Sequence, residues 1–221
     1  MKNIKPINVI NESGFDICHK TPVFQALIEI LRLADVNIRI QDFGFWRDSG
    51  YCIKGVMQEY KSVDWYLARA KETSTRKKQL NPKTILSDFQ REPWQKVEPH
   101  YELALLTSDI YGGEDTNFVI GLAIPTFGTV VSIARLSKLE ISLQLECIKT
   151  VIFHEMGHVF GLPNSNRKNI NESLGAHCTN VCVMRQGLSV PFDWIKMTQD
   201  RIRMRAPYCK ECLSDLRFFF R

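Results

Sequence analysis

The stretch His154-Glu155-Met156-Gly157-His158-Val159-Phe160-Gly161 constrains this chain more than any other. Two histidines four residues apart on an α-helix point the same way, because the helix repeats every 3.6 residues. Their imidazoles then suit one zinc ion, and Glu155 lies beside it, placed to polarise a metal-bound water. The helix is indicated independently. Ile141, Leu145, Ile148, Ile152 and Val159 recur at helical spacing, an apolar stripe along roughly Glu140 to Phe160. Gly161 stands three residues past the second histidine, where a glycine lets the helix stop and the chain turn sharply towards the metal. The alternative, two ordinary histidines on a buried helix, leaves the glutamate and the glycine without a reason.

The cysteines are seven. Cys18, Cys52 and Cys147 are scattered with no partner at ligand spacing, so reduced and mostly buried thiols are expected. Cys178 and Cys182 form one tight pair, Cys209 and Cys212 another. Two short spacings separated by a longer loop suit a closed tetrahedral zinc site. Two disulfides or free thiols are the alternatives. The odd count and the lack of a secretory signal weigh against a disulfide framework.

His177 directly precedes Cys178, and Met184 follows two residues after Cys182. The order HExxHxxG, His-Cys, Cys-x-Met and a final CxxC resembles the archaemetzincins, a branch of the metzincin zinc metallopeptidases. The resemblance implies that His154, His158 and His177 hold a catalytic zinc, with Glu155 as general base. It implies Met184 as the methionine of a turn beneath that zinc. It also implies that Cys178, Cys182, Cys209 and Cys212 hold a second, structural zinc. The matching motifs run from His154 to Cys212, about a quarter of the chain.

The chain departs from the family pattern. Asn164 stands where the third histidine is usual, and Leu162 to Ala176, fifteen residues, separate Gly161 from His177. A two-histidine site completed by water is therefore the rival to a His177 ligand. Cys178 and Cys182 have three residues between them rather than four, and the run from Met184 to Cys209 is longer than usual. The inserted part, 164–173, is almost wholly polar and is expected to loop into solvent.

A chain of 221 residues with 44% hydrophobic content can bury one sizeable core. One metallopeptidase domain over 1–221 is expected, with an upper lobe of about 1–161 and a lower lobe of about 162–221. The fold class implied is α+β and metzincin-like: a mixed sheet with helices, the zinc helix, and a small C-terminal lobe with the four-cysteine site. No run of eighteen apolar residues suggests a membrane span. The start, Met1 to Pro6, lacks the apolar run of a signal peptide, so a cytoplasmic location is expected. The charge of +5 is mild. Lysines and arginines gather in Arg69 to Lys83 and in Arg201 to Lys210, without aromatic interleaving, so no nucleic-acid partner is expected.

A coarse pass predicts a helix over Thr21 to Val36 and a short strand over Asn37 to Ile40. A second helix is predicted over Val63 to Lys78, broken by Asn81-Pro82. Strands are predicted over Tyr101 to Ile110, Asn117 to Pro125 and Thr129 to Leu136. By resemblance, Asn117 to Pro125 is the strand that lines the cleft. A last helix is predicted from Pro191 to about Met204.

The function expected is zinc-dependent hydrolysis of peptide bonds, by a zinc-bound water activated by Glu155, on a peptide or protein substrate. Two zinc ions are the expected cofactors. The alternatives are a zinc-stabilised peptide-binding module that does not cleave and a zinc-ribbon interaction protein. The intact Glu155 weighs against the first, and His154, Glu155 and His158 against the second.

Overall fold

The computed structural model describes residues 4–45, 62–113, 116–172 and 174–221, and the backbone alone of 52–53 and 56–57. Its elements in chain order are β1 (Ile7–Asn11), α1 (Lys20–Ala34), β2 (Ile40–Gly44), β3 (Cys52–Ile53), β4 (Val56–Met57), α2 (Val63–Glu72), α3 (Pro82–Arg91), α4 (Pro93–Val97) and β5 (Tyr101–Leu106). There follow β6 (Gly121–Ile124), β7 (Gly128–Ser132), α5 (Ile141–Val159), β8 (Ile170–Asn171), β9 (His177–Cys178), α6 (Phe192–Met204) and α7 (Lys210–Phe219). The class is α+β with a mixed sheet, as expected. No helix among the described residues is long and apolar enough to cross a membrane.

The chain divides into two compact units. One comprises Lys5–Phe15 and Ile38–Ala134. Its five-stranded sheet has the order β2-β1-β5-β7-β6, parallel except for the outer strand β6, which runs antiparallel to β7. β1, β5 and β7 are buried along their whole length, as central parallel strands are. Tyr66, Leu67, Ile85, Leu86 and Phe89 from α2 and α3 pack with Ile10, Ala104, Leu106 and Val130 of the sheet in one apolar cluster.

Element ends in this unit differ from the sequence expectations for local reasons. The strand predicted to begin at Asn37 begins at Ile40, because the ladder with β1 starts at the Ile7–Ile40 pair. The helix predicted over Val63 to Lys78 stops at Glu72. The Thr73 hydroxyl turns back onto the Arg69 and Ala70 carbonyls, and the Ser74 hydroxyl serves those of Arg76 and Gln79. Asn81-Pro82 does not only end a pattern. Asn81 caps a new helix by accepting the Lys83 N–H, with Pro82 in its first turn. β5 ends at Leu106, four residues early. The Glu12 carboxylate there takes the N–H and hydroxyl groups of both Thr107 and Ser108. The last two strands pair only over Gly121–Ile124 and residues 128–131, and Ala134–Leu136 forms a 3-10 turn.

The second unit comprises Asp16–Asn37 and Arg135–Arg221, with Met1–Ile4. α1 starts one residue before the predicted helix and ends at Ala34, where Asp35 takes a left-handed conformation. It buries Val23, Ala26, Leu27, Ile30 and Leu31, and an ion pair of 3.2 Å joins its Glu29 to Lys149 of α5. α5 and α6 are tied by buried polar contacts. The Thr150 and Thr198 hydroxyls lie 2.8 Å apart, and Arg201 donates to Thr150 and pairs with Glu146. α7, which no sequence expectation covered, carries Cys212. It is held by Arg217, which donates to the Leu33 carbonyl at 3.0 Å, and by Phe219 and Phe220 against Phe160.

Candidate metal centre

All the residues singled out for metal chemistry lie in the second unit. α5 (Ile141–Val159) is capped by Glu140, whose side chain accepts the Ser142 and Leu143 N–H groups. It ends in a two-bond turn: the Gly161 N–H donates to His158 O at 3.0 Å and the Leu162 N–H to Gly157 O at 2.9 Å. Gly161 has φ +73°, the left-handed conformation that this helix ending needs and that glycine adopts without strain.

That turn also aims the His158 ring. It brings the Leu162 carbonyl to 2.9 Å from His158 Nδ1. His154 Nδ1 lies 2.6 Å from the Val183 carbonyl, and His177 Nδ1 lies 2.9 Å from that of Gly175. A ring whose Nδ1–H donates to a carbonyl presents the Nε2 lone pair on its other side. His154 Nε2 and His158 Nε2 stand 3.1 Å apart. Two tetrahedral ligands about 2.0 Å from zinc would be roughly 3.3 Å apart, so the spacing suits that ion. The His177 ring completes the group, 5.3 Å from the His154 ring and 5.0 Å from that of His158. One ligand atom from each of the three lies within 4.8 Å of the others.

The surroundings keep these rings neutral, the form that ligates. Burial, then the neighbouring His158 and His177, holds His154 far below the ordinary imidazole range. Burial, helped by His177, pushes His158 down to about 4, and burial lowers His177. Glu155 follows His154 on α5 and is 4% exposed. Met184 is wholly buried, with its sulfur against the backbone of Gly157. The Trp194 ring meets that of His154 edge to face at 5.1 Å.

The four late cysteines also converge, with all sulfurs within 4.8 Å of one another. Cys178 Sγ and Cys209 Sγ are 3.8 Å apart, close to the edge, about 3.8 Å, of a tetrahedron with 2.3 Å zinc–sulfur bonds. Hydrogen bonding, first with Cys182, lowers the Cys178 thiol. Cys209 is held well below the thiol range, first by Cys178. Each of the four is a free cysteine, without a disulfide. β9 places His177 and Cys178 side by side, so the two clusters share one short strand.

Three sequence expectations need correction or completion. Cys18 is exposed, not buried, because it sits in a surface 3-10 turn. Cys147 is buried as expected, and the side chain of Cys52 lies outside the described residues. The polar insert does not simply loop into solvent. Ser165, Asn166 and Lys168 are exposed, but Ile170 and Asn171 pair with Cys178 and His177. Arg167 turns onto the cysteine cluster, 3.2 Å from Cys212 Sγ and 3.3 Å from Cys178 Sγ. Asn164, at the usual place of a third histidine, uses its side-chain oxygen to accept the Asn166 N–H at 3.0 Å. Sequence reading missed Arg167 and also Asn180, whose side-chain amide lies 3.4 Å from Cys209 Sγ. A single arginine or asparagine in a polar stretch carries no spacing that marks it.

No protein-family model matches the chain. An archaemetzincin of Nanoarchaeum equitans is 37% identical over 113 residues, 51% of this chain and 50% of that relative. An archaemetzincin of Archaeoglobus fulgidus is 33% identical over 117 residues, 52% of this chain and 59% of the relative. The similarity thus spans little more than half the length of these curated relatives. Among solved structures, the archaemetzincin of Methanopyrus kandleri superposes with a TM-score of 0.63 at 20% identity, over 99% of this chain and 97% of that one. The Archaeoglobus fulgidus archaemetzincin complexed with malonate gives 0.54 at 22% identity, over 95% and 99%. A zinc-dependent peptidase from Methanocorpusculum labreanum gives 0.52 at 20% identity, over 95% and 99%. The chain is archaemetzincin-like, in fold along nearly its whole length and in sequence along half of it.

Proposed function

We propose that this archaemetzincin-like chain is a zinc-dependent peptidase that hydrolyses peptide or protein substrates. The observation that carries the reading is the convergence of three neutral, carbonyl-anchored imidazoles around the helix that bears Glu155. His154, His158 and His177 are the ligands of the catalytic zinc in this reading. Cys178, Cys182, Cys209 and Cys212 are the ligands of a second, structural zinc.

Bound at the three histidines, zinc would supply a Lewis acid that lowers the pKa of water to about 7. The chain's own groups do the rest. The carbonyls of Val183, Leu162 and Gly175 orient the rings and hold their protons on Nδ1. A Glu155 carboxylate oxygen takes the proton of the water that attacks the scissile carbonyl and passes it to the leaving amine. The near-complete burial of Glu155 and His154 keeps bulk water away from that transfer. Met184 does no chemistry and forms an apolar floor under the α5 backbone. The four cysteine sulfurs join β9 to α7, which steadies His177.

Incubation of the zinc-loaded chain with a diverse peptide library, followed by mass spectrometry, tests the reading. New peptide termini that vanish on chelation and return with zinc support it. Intact peptides beside protein whose histidine site is loaded leave the non-cleaving peptide-binding module as the better reading.

A further inference from the structure

The polar segment between Gly161 and His177 contains one charged side chain that turns inward and that the proposed chemistry does not use, Arg167. Arg167 is 13% exposed, although its neighbours Asn166 and Lys168 are exposed. Its guanidinium spans two chain segments that are far apart in sequence. One Nη donates to Cys178 Sγ on β9, and the other to Cys212 Sγ on α7. The second Nη also pairs with Asp215 at 2.7 Å, and Nε donates to Asn169 Oδ1 at 3.0 Å. Asp215 in turn accepts the backbone N–H of Asn164 at 3.0 Å, which anchors the start of the same segment.

The remaining two sulfurs have donors as well. Asn180 Nδ2 lies 3.4 Å from Cys209 Sγ, and the Cys209 backbone N–H lies 3.3 Å from Cys182 Sγ. Every sulfur of the cluster therefore accepts an N–H bond, and Arg167 supplies two of the four. Four thiolates around a divalent ion leave a net charge of −2, so a guanidinium fork is well matched to them in charge and shape. The segment then continues into β8, whose Ile170 and Asn171 pair with Cys178 and His177.

We infer that Arg167 is a positioning residue: its guanidinium bridges Cys178 and Cys212, locks the four-cysteine cluster, and through β9 fixes the imidazole of His177. The inserted segment is thus a strap from the end of α5 to both clusters. The inference rests on the zinc reading of the two clusters. A plain ion pair with Asp215 is the competing role, and Arg167→Lys separates the two. Lysine keeps the charge for Asp215 but is a point donor that does not span two sulfurs.

The test uses the full chain, first assayed for zinc, in wild-type form and as Arg167→Lys, Arg167→Ala and Lys168→Ala. Chelator-driven zinc release is followed as separate phases for the two sites, and the thiolate-to-metal absorption band is recorded after cobalt substitution. The expected result is release from the cysteine site about tenfold faster in Arg167→Lys and up to about a hundredfold faster in Arg167→Ala. The cobalt band should shift in the lysine variant, the histidine-site phase should also accelerate, and Lys168→Ala should match wild type. If Arg167→Ala does not fold, the lysine variant decides. Wild-type release rates and an unshifted band in Arg167→Lys would overturn the inference and leave the zinc reading standing. A wild-type chain without zinc at its cysteines overturns both. Faster cysteine release with an unchanged histidine phase overturns the link to His177.

Discussion

A β-carbon on Gly157 would lie 2.4 Å from the sulfur of Met184. The residue before the second histidine of α5 is therefore glycine for a packing reason, and the two positions are set against each other. Gly157→Ala is expected to lower stability by about 1–3 kcal/mol, as overpacking of a tight core does. It should also weaken zinc binding at the histidines. Adding Met184→Ala should restore part of the loss, which a double-mutant cycle on thermal unfolding measures. Independent, additive effects would mean that the contact is not what fixes the glycine.

His177, and not Asn164, is expected to be the third ligand of the histidine site. The Asn164 amide oxygen is already engaged in its own turn, and amide oxygen is a weak zinc ligand beside imidazole. Zinc affinity should fall steeply in His177→Ala and little in Asn164→Ala. The reverse pattern would assign the ligand to Asn164.

The lowered imidazoles make stability depend on pH when the histidine site is stripped and the cysteine site kept loaded. Burial holds His154 far down and His158 at about 4, whereas unfolded imidazoles titrate near pH 6.5. Below about pH 6.5 the unfolded chain therefore binds protons that the folded chain does not. The folded state keeps its full margin above that pH and loses it as pH falls towards about 4. The expected slope is about 1.4 kcal/mol per pH unit for each such histidine. Urea midpoints at three pH values between neutral and mildly acidic check it, and a flat series would contradict it.

Cys212→Ser is expected to destabilise the unit that contains α5 to α7 rather than merely slow turnover. Structural zinc contributes folding free energy on the order of 10 kcal/mol in small peptides, and the surrounding apolar core offsets part of the loss here. A fall of about 3 kcal/mol, or roughly 10 °C in Tm, is expected. Unchanged thermal unfolding would argue that the cluster holds no structural metal.

How much of this was legible in the sequence depended on spacing. α5 was, because the apolar stripe, the HExxH spacing and Gly161 all mark the same helix. The two cysteine pairs were legible as a cluster for the same reason. β1 was not, since Ile7-Asn8-Val9-Ile10-Asn11 is buried on both sides and shows no alternation. α3 was hidden because Asn81-Pro82 serves equally as the end of one helix and the cap of the next. α7 begins at Lys210 after Cys209, which makes no side-chain cap, and had no start signal to read. Arg167 was hidden within a polar run, because its role comes from sulfurs on β9 and α7 that only folding brings to it.

The most direct test of the central claim is turnover of Glu155→Gln beside wild type on a peptide that wild type cleaves, with zinc content measured in both. Glutamine keeps the shape of the side chain and cannot take the proton. The account expects hydrolysis to be lost, by a factor of about a hundred or more, while the zinc content stays that of wild type. Near-normal turnover in the zinc-loaded variant would contradict it.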